Sequence, residues 1–169
     1  MGMEISKSAV VNVSAERLWS IMADDFDKVG EWARGVDSSG PNTDAAVPEG
    51  ASVGGRVCQA PGFGAINETF TSFDPVERSY AFEATASKIP SFVRNLTNHT
   101  LVKPLGPEQS EVQLRITADT PGVRGALVKP VLSRKFSKGL DTVLEDLTIF
   151  AESGKISSEK TKALAKAGR

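Results

Sequence analysis

The side chains in this sequence best suited to chemistry are Glu68, Arg56, Tyr80, Cys58 and His99. Glu68 shares a strand parity with Ile66 and Phe70, so its carboxylate points to the same side as two large apolar groups. In such surroundings a carboxylate can orient a polar group of a ligand or, with a raised pKa, move a proton. The structural alternative is an ion pair with Arg56 or another base. Tyr80 shares a parity with Phe82 and Ala84 and brings the only phenol, a donor suited to a carbonyl; the plainer reading is a packed aromatic with its hydroxyl at a rim. Arg56 and Cys58 lie on one parity, Val57 and Gln59 on the other, and the apolar count does not decide which pair faces in. Cys58 reads as a small core residue, because a reactive thiol wants a base and the only histidine, His99, lies three strands further on. His99, between Asn98 and Thr100, reads as a surface or rim residue.

The same inventory excludes several chemistries. One cysteine rules out an internal disulfide, and a single histidine argues against a His/Cys metal site. Gly62-Phe63-Gly64 lacks the following helix and the Lys-Ser/Thr of a phosphate loop, and no Gly-x-Ser-x-Gly elbow occurs. Neither a metal nor a nucleotide cofactor is expected. Lys and Arg number 20 against 21 Asp and Glu, which removes the blanket positive charge of a general nucleic-acid binder. The charges are nevertheless uneven. Residues 24 to 50 are acid-rich, whereas residues 122 to 138 hold Arg124, Lys129, Arg134, Lys135 and Lys138 with no acid. That basic run reads as an ordinary solvated face or as a contact for anionic lipid. No run approaches the roughly 18 to 20 apolar residues of a membrane span, and Met-Gly-Met-Glu-Ile does not begin a signal peptide, so a cytoplasmic protein is expected.

The elements that must position these groups follow from periodicity. Met3 to Val13 reads as a strand, and Ser14 caps a short helix through Met22. A second short helix or turn covers Asp24 to Glu31, followed by Trp32 and a strand around Gly35 to Ser39. Five more strands are expected: Val53 to Ala60, Ala65 to Phe73, Arg78 to Thr85, Arg94 to Lys103 and Ser110 to Ala118. In the last, Val112, Leu114 and Ile116 alternate with polar residues. Leu132, Phe136, Leu140, Val143, Leu147 and Phe150 then recur at helical spacing on one narrow face. That face must be buried, and a curved antiparallel sheet is its natural partner. A sheet wrapped around one helix leaves a cavity, so the elements point to a container for a small apolar molecule. Pro130 should kink the segment from Gly122 to Lys129 away from this helix or make it a short helix of its own, and Lys129 would fall on the buried face if the helix ran through. The tail from Lys155 to Arg169, with Ser157 or Ser158 as a cap, reads as a weak helix or as disordered. The expected division is one domain over residues 1–153 and a basic tail over 154–169.

Taken in order, Ser14-Ala-Glu-Arg-Leu-Trp19, Asp25-Phe-Asp27, Trp32, Gly54-Gly-Arg56, Asn67-Glu68 and the Phe73-Asp74 turn before Arg78-Ser-Tyr80 carry a resemblance. The chain resembles the polyketide cyclase/dehydrase and lipid-transport family, within the superfamily of START lipid-transfer domains, birch-pollen allergen proteins and abscisic-acid receptors. The resemblance covers about residues 3 to 152. It implies an α+β helix-grip fold, with seven antiparallel strands curled around the long C-terminal helix and two short helices between strands 1 and 2. It also implies a hydrophobic cavity, with loops 60–65 and 87–92 at its mouth and Arg56 and Cys58 facing inward. The gate and latch sequences of the hormone receptors are absent here.

The leading expectation is a binding or carrier protein for a small hydrophobic metabolite or lipid, held by Trp32, Ile66, Glu68, Phe70, Tyr80, Phe82, Val112, Leu114, Ile116, Phe136, Leu140 and Val143. Apolar walls give affinity and a few buried polar groups give orientation. The runner-up is a cyclase or dehydratase with Glu68 as acid/base and Tyr80 or Arg56 polarising a carbonyl. A third reading is lipid transfer at an anionic membrane, with transient contact through Arg124 to Lys138.

Overall fold

The structure is a computed structural model and describes residues 2–168. The first strand, β1 (Gly2–Val11), buries Met3 and Val11 and ends where Ser14 accepts a hydrogen bond from the Arg17 amide at 3.2 Å. That cap opens α1 (Ala15–Trp19), which continues as a π-helical turn over Ser20–Asp24 and a 3-10 turn over Phe26–Lys28 into α2 (Val29–Trp32). The expected strand around Gly35 to Ser39 begins later, as β2 (Ser38–Pro41). Ahead of it the chain is held elsewhere: the Arg34 amide donates to the Asp146 carboxylate at 2.7 Å, and the Asp37 amide first reaches the neighbouring strand at the Gln59 carbonyl, at 2.7 Å. Then come β3 (Gly55–Ala60), β4 (Gly64–Asp74), β5 (Ser79–Ala86), β6 (Arg94–Gly106) and β7 (Gln109–Asp119).

The strands form one antiparallel sheet in the order β1-β7-β6-β5-β4-β3-β2. Between β4 and β5 the register slips at Phe70/Ser72, a bulge that adds local twist and turns both Phe70 and Phe73 toward the inner face. Gly55 lies where β3 crosses closest to β4. A Cβ there would collide with the Glu68 carbonyl, so glycine lets the strands approach with Arg56 directly opposite Glu68.

Across the sheet lies α3 (Gly122–Ser153), one unbroken helix. Of the two outcomes expected at Pro130, this rules out a separate short helix over Gly122 to Lys129. Pro130 has no amide to donate to the Ala126 carbonyl, and both residues are exposed, where a missing helical hydrogen bond costs least. Lys129 escapes the core by reaching past the sheet edge to donate to the Gly2 carbonyl at 2.7 Å. The helix buries Leu132, Phe136, Leu140, Leu144, Leu147 and Ala151. Val143 and Phe150, expected in the buried stripe, are only half-buried. The helix stops at Gly154, whose φ of 69° lets its amide return to the Phe150 carbonyl at 2.8 Å. The tail is ordered as a helix, α4 (Ser158–Lys166), capped by Ser157. Lys160 anchors it, buried and donating to the carbonyls of Ala33 at 3.1 Å and Val36 at 2.8 Å.

Candidate functional site

The inner face of the sheet is not filled evenly. Beneath α1 and the turn that follows it, aromatic rings close the space: Phe26 sits 4.4 Å from Phe70, and Trp19 lies 5.3 Å from Phe73 and 5.8 Å from Tyr80. Toward the other end a cavity of about 450 Å³ opens between sheet and α3, within the roughly 300–1,000 Å³ of small-molecule sites. Its walls are mostly apolar. The sheet supplies Ala60, Ile66, Phe82, Ala84, Ala86, Leu96, Leu114 and Ile116, and α3 supplies Phe136, Gly139, Leu140 and Val143. Ile21, Met22, Phe26, Val29 and Trp32 close one side.

Arg56, Glu68 and Tyr80 meet on one wall. Arg56 pairs with the Glu68 carboxylate through its Nε, donates from Nη1 to the Phe26 carbonyl at 2.9 Å, and lays its guanidinium 4.0 Å over the Phe26 ring. Burial works against the Arg56 charge, but the Glu68 carboxylate outweighs it and holds the guanidinium above its ordinary pKa. Burial likewise pushes the Tyr80 phenol up, so it is a neutral donor. Its hydroxyl is not at a rim: it donates to the Met22 carbonyl at 3.2 Å, with the Thr100 side chain also hydrogen-bonded to it. Arg56, Cys58 and Ala60 all face inward along β3, while Val57 and Gln59 are exposed. Cys58 is buried beside Arg56, and desolvation raises its thiol to about 11 despite that cation.

At the mouth, the loop between β3 and β4 is tied to α3. Lys135 donates to the Gly62 carbonyl and lies 4.2 Å from the centre of the Phe63 ring, which stacks on Phe136 at 5.3 Å. Ile89, from the loop between β5 and β6, completes this border. On the far side Trp32 stacks on Phe150 at 6.2 Å, which explains the half-burial of Phe150: it covers a cavity wall. Behind it Arg34 grips the fully buried Asp146 through Nε at 2.9 Å and Nη2 at 2.6 Å. Burial would raise the Asp146 pKa, but hydrogen bonds from the Arg34 side chain and backbone and from Ser157 overcome it and leave it lowered.

Of the ligand-binding residues expected from sequence, Trp32, Ile66, Glu68, Tyr80, Phe82, Leu114, Ile116, Phe136, Leu140 and Val143 line this cavity, as does Arg56. Phe70 and Val112 do not. Phe70 is covered by Phe26 and Tyr80 in the aromatic plug, and Val112, fully buried, pairs with Val102 and Ala9 toward the filled end of the sheet. His99 turns to the outer face opposite Arg115, where burial and that cation lower its pKa. Its neighbours Asn98 and Thr100 face the cavity, polar wall residues that sequence reasoning missed because three polar residues in a row carry no parity. Phe26, Phe63 and Lys135 were also missed, since their roles depend on loops crossing the sheet. Among the described residues no group of His, Cys, Asp and Glu comes together to hold a metal ion, and no helix is long and apolar enough to cross a membrane.

The sequence profile of the family described as polyketide cyclase / dehydrase and lipid transport matches residues 3–148. No curated protein matches the chain. Among solved structures, a START superfamily protein from Mycobacterium smegmatis superposes with a TM-score of 0.68 at 16% identity, covering 90% of this chain and 99% of its own. The protein XoxI from Bacillus cereus gives 0.60 at 21% identity over 85% and 94%. Ara h 8.0201 gives 0.59 at 12% identity over 87% and 98%. At these identities the likeness is one of fold, and it covers nearly the whole of each relative.

Proposed function

Because the chain belongs to the polyketide cyclase/dehydrase and lipid-transport family, whose fold commonly binds hydrophobic ligands, we propose that it is a cytoplasmic binding or carrier protein for a small hydrophobic metabolite or lipid. The observation that carries this reading is the cavity of about 450 Å³ whose mostly apolar walls include the buried Arg56–Glu68 pair. An apolar lining supplies affinity, and a few fixed polar groups set orientation. Glu68 is engaged by Arg56 and the Tyr80 hydroxyl by Met22, so both are occupied as parts of the wall.

A second reading, a cyclase or dehydratase, is favoured by the convergence of Arg56, Glu68 and Tyr80 on one wall. There Glu68 would act as acid/base, with Arg56 or Tyr80 polarising a carbonyl. One experiment separates the two. Gently purified protein is examined by native mass spectrometry for a co-purifying molecule, which is then incubated with fresh wild type and with Glu68→Gln. The carrier reading expects the molecule back unchanged from both and a changed affinity in the variant. A general acid/base typically contributes about 10² to 10⁴ in rate, so a cyclised or dehydrated product from wild type that falls by such a factor in the variant establishes the enzyme instead.

A further inference from the structure

The first turns of α3 carry a second apolar stripe that the fold does not use. Val123, Leu127 and Val131 recur every four residues and are 78%, 74% and 67% exposed. At about 100° per residue they span an arc of roughly 80°, on the side opposite the buried Leu132. The same arc runs on into the exposed Arg134 and Lys138, with exposed Arg124 on its flank, and no acid occurs from 122 to 138. Large apolar side chains scattered singly over a surface need no explanation, but three in register on one helix do.

From this stripe and its cations we infer a docking surface for an anionic lipid bilayer, on which the outer face of α3 lies in the headgroup region beside the cavity mouth. The chemistry fits: apolar side chains enter the acyl boundary while flanking Lys and Arg meet lipid phosphates. A second copy packed on this stripe would bring the cations of this face near one another with no acid from 122 to 138 to pair them, which opposes that contact. Position favours a membrane over an acidic protein. Lys135 and Lys138 border the cavity, and Lys135 holds the Gly62 carbonyl of the mouth loop, so docking this face brings the mouth to the bilayer. An apolar ligand then enters from lipid without crossing water; this step rests on the carrier reading, whereas the docking itself does not.

The test is co-sedimentation of the full chain with vesicles of phosphatidylcholine alone and of phosphatidylcholine with phosphatidylglycerol at about 2:1, in about 0.1 M and about 0.5 M salt. Wild type should bind the anionic vesicles at low salt, at least about tenfold more tightly than the neutral ones, and be released at high salt. Leu127→Asp and the double variant Arg124→Glu/Arg134→Glu, all at exposed sites, should each weaken binding by at least about tenfold while leaving the circular dichroism and apolar-dye binding of the cavity unchanged. The emission that Leu127→Trp adds to that of Trp19 and Trp32 in the wild type should shift to the blue on adding anionic vesicles. Absence of binding to anionic vesicles, or binding indifferent to Leu127→Asp, overturns the proposal. So does a blue shift of Leu127→Trp that appears on concentrating the protein without lipid, which assigns the stripe to self-association. Loss of vesicle binding with dye binding retained leaves the carrier reading standing, and the reverse result removes that reading while keeping the docking surface.

Discussion

Truncating Leu147 and Leu140 of α3 to alanine should separate packed core from cavity wall. Leu147 is fully buried and lies outside the cavity lining, while Leu140, 6% exposed, is part of it. Each change removes three carbon groups, about 2.4 kcal/mol at about 0.8 kcal/mol per group. At Leu147 the surroundings are close-packed, so the void left behind adds its own term and the total should approach about 4 to 5 kcal/mol. At Leu140 part of the side chain already faces the existing space of about 450 Å³. Fewer neighbours lose contacts there and the new volume merges with the old, which holds the loss near about 2 to 2.5 kcal/mol. Equilibrium unfolding in urea, followed by circular dichroism, reads both values from the midpoints provided the slopes stay equal. Equal losses at the two sites, or a larger loss at Leu140, would refute the placement of a cavity between helix and sheet.

The buried Asp146 carboxylate has a lowered pKa, so its contribution is present above the unfolded value of about 3.9 and is lost as pH falls through the lower folded value. Asp146→Asn should therefore flatten the acid limb of a urea midpoint against pH profile. At neutral pH it should cost toward the low end of about 3 to 5 kcal/mol, because Arg34 keeps some solvent. A wild-type acid limb as flat as that of the variant would show that the pair contributes nothing. Cys58, buried with its thiol raised to about 11, should resist an aromatic disulfide reagent at pH 8 in the native protein and react promptly in urea. Prompt reaction in the folded state would mean that β3 opens far more readily than its packing implies.

How far the sequence reveals this site follows from what periodicity can encode. Alternation marks which residues face the helix, and it places Leu114, Ile116 and Phe82 on the inner wall, because a half-buried strand must keep a period of two. It says nothing about position along the strand relative to a crossing element. Phe70 and Val112 have the right parity and still miss the cavity, since α1 and the Phe26 turn cover that end. The same blindness hides Asp146, a charge in an apolar stripe whose partner Arg34 lies 112 residues away. Lys160 is the extreme case, a lysine in a polar tail that becomes an anchor only because the turn after α2 presents the carbonyls of Ala33 and Val36 to it.

The cavity itself has a local cause in side-chain size. Interiors pack to near-crystalline density, so an unfilled space of this volume persists only where the facing residues are too small or too rigidly held to collapse into it. Large rings crowd one end of the sheet, where Trp19, Phe26, Phe70, Phe73 and Tyr80 touch. At the other end the facing positions are Ala60, Ala84, Ala86 and Gly139, and a Cβ added at Gly139 would meet nothing within 4 Å. The rings brace the curl of the sheet from one side, and the Lys135 and Phe63 contacts brace the mouth loop from the other. Held at both ends, α3 cannot settle onto the small residues between. The space is thus a product of how the same apolar budget is distributed along the strands, large at the plug and small at the mouth.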